Sequence, residues 1–203
     1  MRRPVMAAMV VAVAGICGMA LWSGSRAMAA PDPSPVPISW ELKFVSHPPE
    51  RIEVEGKTYW YIRYTITNTT GKDILFTPEF ELMTDTGQVL PAFKEVPKAV
   101  FTRIKALYNN SLLMSPTAIL GKLLQGEDNS RDGLILFSGV EVESREFQFF
   151  TSGLSGETAE VKNPLTGKPA VLKKTLVLDY NIPGMAIGVD PQPKLKAMKW
   201  VMK

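Results

Sequence analysis

Residues 58–67 constrain this chain more than any others, because side-chain character alternates there with period two. Trp60, Ile62, Tyr64 and Ile66 fall on one face, and Tyr59, Tyr61, Arg63 and Thr65 on the other. Successive strand side chains point to opposite faces, so the pattern reads as a β-strand, and its rings on both sides ask for cover on both. Shorter runs of the same kind surround it. Trp40, Leu42 and Phe44 alternate with Ser39, Glu41 and Lys43 until His47-Pro48-Pro49 breaks the run. Further strands are expected over 51–55, 73–77, 80–84, 88–90, 134–137, 145–151, 171–180 and 195–202. Between them lie Gly56-Lys57, Asn68-Thr69-Thr70-Gly71, Asp85-Thr86-Gly87 and Asn163-Pro164-Leu165-Thr166-Gly167, residues that turn a chain cheaply.

The period changes once. Val100, Ile104, Leu107 and Tyr108 sit at helical spacing behind Pro97, and Ser115-Pro116 resembles an N-cap followed by a first-turn proline. Two helices are therefore expected in an insertion at about 96–125, the second over 117–124. Many short strands with turn punctuation predict a mainly β chain, an antiparallel β-sandwich carrying that insertion.

The segment Tyr64-Thr65-Ile66-Thr67-Asn68-Thr69-Thr70-Gly71-Lys72-Asp73-Ile74, with the hairpin around Leu82-Met83-Thr84-Asp85-Thr86-Gly87-Gln88, resembles the strand-turn-strand signature of immunoglobulin-like domains in exported bacterial proteins. The resemblance covers about a third of the chain beyond its first 29 residues. It implies an immunoglobulin-like sandwich and an extracytoplasmic binding or accessory role.

The N-terminus points the same way. Met1-Arg2-Arg3 precedes an uncharged apolar run from Val5 to Trp22, and Ala27-Met28-Ala29 has the small-x-small pattern of a cleavage site. Residues 1–29 are read as a signal peptide, 30–37 as a linker with four prolines in eight residues, and 38–203 as a single domain. The alternative is an uncleaved anchor, the chain's only expected contact with a membrane.

The leader holds three of the 23 basic residues and none of the 20 acidic ones, so the exported chain carries 20 of each rather than a net +3. It holds no basic run longer than Lys173-Lys174, which excludes the phosphate-binding stripe that nucleic acid requires. Cys17, the only cysteine, leaves with the leader, and with it any disulfide, thiolate or Cys-based zinc site.

Several residues invite a chemical reading. His47 is the one histidine, and its Pro-rich turn offers no orienting partner for a general base. Glu79, Glu81 and Asp85 are the carboxylates nearest to a glycosidase pair. Asp128-Asn129-Ser130-Arg131-Asp132-Gly133 reproduces the opening of a calcium loop, with Asp128, Ser130 and Asp132 at ligand positions and glycine sixth. The twelfth position is Gly139 where a bidentate Glu belongs, so Ca²⁺ competes with a polar turn joining helix to strand. Tyr59, Tyr61 and Arg63 form the other candidate, a face that could stack on sugars or grip a peptide if solvated and that is packing if the insertion covers it.

These readings together predict a non-catalytic binding or accessory protein of the periplasm or cell envelope, with a protein or an envelope glycan as partner and no obligatory cofactor. Its rivals are a carboxylate hydrolase of envelope polysaccharide and a structural module held by an uncleaved anchor.

Overall fold

A computed structural model describes residues 30–163, 165–183 and 192–203. The leader, its cleavage and the alternative anchor lie outside the described residues. The elements begin with β1 (Lys43–Ser46), β2 (Glu50–Val54), β3 (Lys57–Asn68), β4 (Ile74–Phe76), β5 (Glu79–Thr84), β6 (Val89–Pro91) and α1 (Lys98–Tyr108). They continue with β7 (Gly121–Leu123), β8 (Gly126–Ser138), β9 (Glu146–Ser152), β10 (Thr158–Lys162), β11 (Pro169–Asn181) and β12 (Lys194–Met202).

The first sheet is built on β3. One edge pairs in succession with β2 and β1, placing Arg51 opposite Trp60 and Phe44 opposite Ile66, and the other pairs with β8. The second sheet runs β10-β11-β9-β5-β6, with β12 also paired to β11. Every ladder is antiparallel.

The alternation in β3 decides how the sheets meet. Trp60, Ile62, Tyr64 and Ile66 join Ile135 and Phe137 of β8 against Phe80, Leu82, Phe147, Phe149, Leu176, Leu178 and Tyr180 of the second sheet. This core is largely aromatic: Trp60 meets Phe147 edge-on at 4.9 Å, and Phe149 meets Tyr180 in the same way at 5.7 Å. Each large side chain removed from water contributes about 1.5–3 kcal/mol, so the sandwich is held chiefly by these rings. The other face of β3 supplies a second, smaller core, in which Tyr59, Tyr61, Leu134 and Leu136 are covered by Val100 and Ile104 of α1.

One of the two expected helices forms. At 115–120 the capping contact exists, since Ser115 Oγ accepts the Ala118 N–H at 3.2 Å, but a single turn is all that follows. Gly121 at φ 106° redirects the chain into β7, where Leu123 lies opposite Ile74 of β4. The misreading has a physical source. Ile119 and Leu123 are four residues apart, a spacing that puts two side chains on one side of either a helix or a strand, and both are buried.

The proline-rich stretch is fastened to the domain. The Ser34 N–H donates to Glu157 Oε1 at 2.7 Å, and the Ser34 carbonyl accepts from Lys174 Nζ at 3.3 Å. Lys174 is 2% exposed, lies 3.1 Å from both Glu41 and Glu157, and points towards the Trp200 ring at 5.1 Å.

Candidate functional site

α1 covers part of the outer face of the first sheet, and that cover settles the surroundings of the aromatic candidates. Tyr59 is 3% exposed and Tyr61 is 1% exposed, so neither ring is open for stacking on a ligand. Arg63, two residues on, lies at the margin of the cover. It donates through Nη2 to Glu50 Oε1 at 3.2 Å, and its guanidinium carbon sits 3.8 Å from the centre of the Tyr108 ring. Tyr108 and Tyr61 converge on the other oxygen of Glu50, at 2.6 and 3.1 Å, with their hydroxyls 3.0 Å apart.

Burial raises the Tyr61 hydroxyl far above the usual phenol range, and its bonds to Tyr108 and Glu50 add to the effect. Burial, then the bond to Glu50, raises Tyr108 as well. Both phenols remain protonated donors at neutral pH, and Glu50 is engaged by three groups. The cluster has no free base; it fastens the C-terminal end of α1 to the sheet.

The calcium-like segment is in β8, not in a turn between helix and strand. Ile66 opposes Arg131 and Asn68 opposes Gly126, so one step of two residues on β3 faces five on β8, and residues 127–130 bulge from the ladder. Within the bulge Ser130 Oγ donates to the Glu127 carbonyl at 2.6 Å. Asp132 points to the outer face, where its oxygens accept from Thr65 Oγ1 at 2.7 Å and Asn110 Nδ2 at 3.3 Å. Gly133 does not take a positive φ; a Cβ there would meet the Tyr64 ring at 2.5 Å and Ile119 at 2.6 Å. No group of three or more His, Cys, Asp or Glu that could hold a metal occurs among the described residues. The fold does bring the two candidate sets onto adjoining strands, with Thr65 opposite Asp132.

Glu79 and Glu81 lie on the outer face of the second sheet. Glu79 is 3.5 Å from Lys173, and Glu81 is paired with Lys203. Asp85 accepts the Arg145 backbone N–H at 3.1 Å and serves the hairpin end. His47 is exposed, and its backbone N–H donates to the Arg63 carbonyl at 2.8 Å.

A cleft of about 560 Å³ opens between the end of β6 and the end of β8. Val89, Val140 and Val142 give it apolar walls, Lys57, Lys94 and Glu95 charge its rim, and Tyr59 reaches its floor. Val89 is 60% exposed and Val142 81%, and the bordering loop holds Phe93 and Glu95 at φ 65° and 55°. Non-glycine residues in that region store strain of order 1–3 kcal/mol each and cluster at functional surfaces. Sequence reasoning missed the cleft because its lining comes from four separated segments, none carrying a local motif. The Lys174 cluster, by contrast, left a signal: a lysine in phase with Leu176, Leu178 and Tyr180 occupies a core position of its strand.

No family model, curated protein or solved structure matches this chain.

Proposed function

We propose that the chain is an exported, non-catalytic binding or accessory protein of the cell envelope, an immunoglobulin-like sandwich that takes a glycan or peptide fragment in the cleft between β6 and β8. The cleft carries this reading. It combines exposed valines with two lysines and a glutamate on a rim held in strained backbone, the mixture of apolar wall and few polar groups that small-ligand sites use. The hydrolase alternative draws no support from Glu79 and Glu81, each neutralised by a lysine on an open sheet face. The immunoglobulin-like reading rests on the long aromatic strand running into the Asn68 turn. There the buried Asn68 amide donates to the Lys72 and Leu123 carbonyls at 2.8 and 2.9 Å and ties the turn to β7.

Melting the protein against cell-wall fragments, oligosaccharides and short peptides tests the proposal. A ligand of the folded state at about 100 times its dissociation constant adds about 2.7 kcal/mol, a rise of several degrees. The shift is expected to vanish in Val142→Asp, whose side chain is exposed and whose own melt stays unchanged. A panel without a shift, or a shift that Val142→Asp retains, overturns the cleft as the site.

A further inference from the structure

The cleft between β6 and β8 is bounded by a strand edge as well as by side chains. Among the described residues β6 pairs only with β5. The Thr84 N–H donates to the Gln88 carbonyl at 3.1 Å and the Ala92 N–H to the Phe80 carbonyl at 3.0 Å, so Gln88, Leu90 and Ala92 turn their backbone towards β5. Val89 and Pro91, between them, turn theirs away, and both line the cleft. Val89 thus offers an N–H and a carbonyl on the open edge, and Pro91 a carbonyl alone.

Polar side chains around the cleft also lack partners. Tyr59 is 3% exposed, yet its hydroxyl makes no hydrogen bond among the described residues, where buried phenols ordinarily find one. Lys57 and Lys94 form no ion pair, whereas Lys173, Lys196, Lys199 and Lys203 of the second sheet are each matched to a carboxylate. Glu95 is unpaired as well, and two lysines against one glutamate leave one positive charge uncompensated on the rim. Tyr59 is the one ring among the lining residues, and its burial leaves no face on which a sugar could stack.

Resting on the cleft as the binding site, we infer that its occupant is a short peptide with a free C-terminal carboxylate and an apolar side chain beside it. The Tyr59 O–H and the Lys57 and Lys94 ammonium groups receive the carboxylate. Val89, Val140 and Val142 receive the apolar side chain, and the Val89 N–H and carbonyl pair with the peptide backbone as in strand addition. One terminal carboxylate balances the rim, whereas an acidic tract would meet Glu95. A neutral glycan would leave both lysines unmatched and find no ring to stack on.

The probe is N-acetyl-Ala-Val-Val, a tripeptide matched to the 3 residues of β6 whose only charge is its carboxylate. Its C-terminal amide and N,N′-diacetylchitobiose are the comparisons. Calorimetry is expected to show the acid binding, the amide binding about fivefold or more weakly, and the disaccharide not binding. The gap between acid and amide should narrow as salt is raised. Tyr59→Phe deletes a hydroxyl that bonds to nothing in the free protein, so its melt should stay unchanged while affinity for the acid falls about tenfold. Lys57→Gln combined with Lys94→Gln should bring acid and amide to equal affinity, and hydrogen exchange at the Val89 amide should slow when the acid is bound. Should Tyr59→Phe fail to fold, the lysine pair and the Val89 amide decide. Equal binding of acid and amide, lost for both in Val142→Asp, overturns the carboxylate while the cleft stands. Disaccharide binding that Val142→Asp removes overturns the peptide and again leaves the cleft standing. Acid binding that Val142→Asp retains overturns the cleft and this proposal together. No binding of the acid, full binding by Tyr59→Phe, or an unprotected Val89 amide each overturns the proposal.

Discussion

Gly133 and Asp132 sit side by side, and the fold gives each a task that a calcium loop would not. Asp132 holds Thr65 and Asn110, and Gly133 yields its side-chain space to the Tyr64 ring and Ile119. Gly133→Ala pushes a methyl into a filled core and is expected to cost about 1–3 kcal/mol, read as a lowered denaturant midpoint. Asp128 is exposed, so Asp128→Ala should stay within about 0.5 kcal/mol, and millimolar Ca²⁺ should leave both melts where they were. A rise in melting temperature with Ca²⁺ that Asp128→Ala removes would restore the ion. Six residues had suggested a ligand loop; their spacing was legible, but the ring that dictates glycine at 133 comes from another strand.

Lys174 works at the same scale. The Ser34 N–H, then the Lys174 ammonium, holds the Glu157 carboxyl below the usual carboxylate range against the opposing effect of burial. Burial works against the Lys174 ammonium, but Glu41 and Glu157 outweigh it and raise its pKa. A depressed carboxyl contributes stability that is complete above its unfolded pKa, about 4.3 for Glu, and is lost as pH falls through the folded value. A raised lysine contributes stability that is complete below its unfolded pKa and is lost as pH climbs through the folded one. The cluster is therefore intact across the neutral range and weakens at acid pH. Protection of the Ser34 amide, taken relative to its intrinsic exchange rate at each pH, is expected to fall there before the global melt, and in Glu157→Gln to be low already at neutral pH. A Ser34 amide that stays protected in Glu157→Gln would remove the carboxylate from the account.

At the scale of elements, α1 shows how tertiary contact makes a helix. It has 11 residues, no side-chain N-cap and no acidic residue in its first turn, so alone in water it would be marginal. Val100 and Ile104 are fully buried, and their spacing was visible in the sequence. Ile104→Ala is expected to cost about 2–5 kcal/mol, against less than about 0.5 kcal/mol for Leu107→Ala on the 64% exposed face. Equal costs in chemical denaturation would mean that the helix does not rest on the sheet. Period reading placed α1 and β3 because each repeats its pattern over several turns or pleats. It lost β10, whose residues Thr158–Lys162 pair with β11 and alternate only through Ala159 and Val161, two small apolar side chains that are half-buried and too short a run to mark a strand. It also shortened β8, whose first half is polar and held by β3 across the bulge.

For the whole molecule, the tyrosines report whether its two cores open together. Tyr64 and Tyr180 belong to the core between the sheets, Tyr61 to the one beneath α1, and Tyr108 joins α1 to the first sheet. Burial is the leading cause that raises each of these four phenols above its ordinary value. A folded-state pKa raised in this way means stability that is whole below the unfolded phenol value, about 10, and is withdrawn as pH climbs beyond it. Phenolate absorbance should therefore lag behind that of free tyrosine and then rise in one step, at the pH where the far-ultraviolet circular dichroism of the sheets is lost. Two separated steps, the earlier with the sheet signal unchanged, would show α1 lifting from the first sheet as a unit of its own. The shared strand argues for one step. Tyr61 and Tyr64 are three residues apart on β3 and face opposite cores, so the strand cannot leave one without disturbing the other.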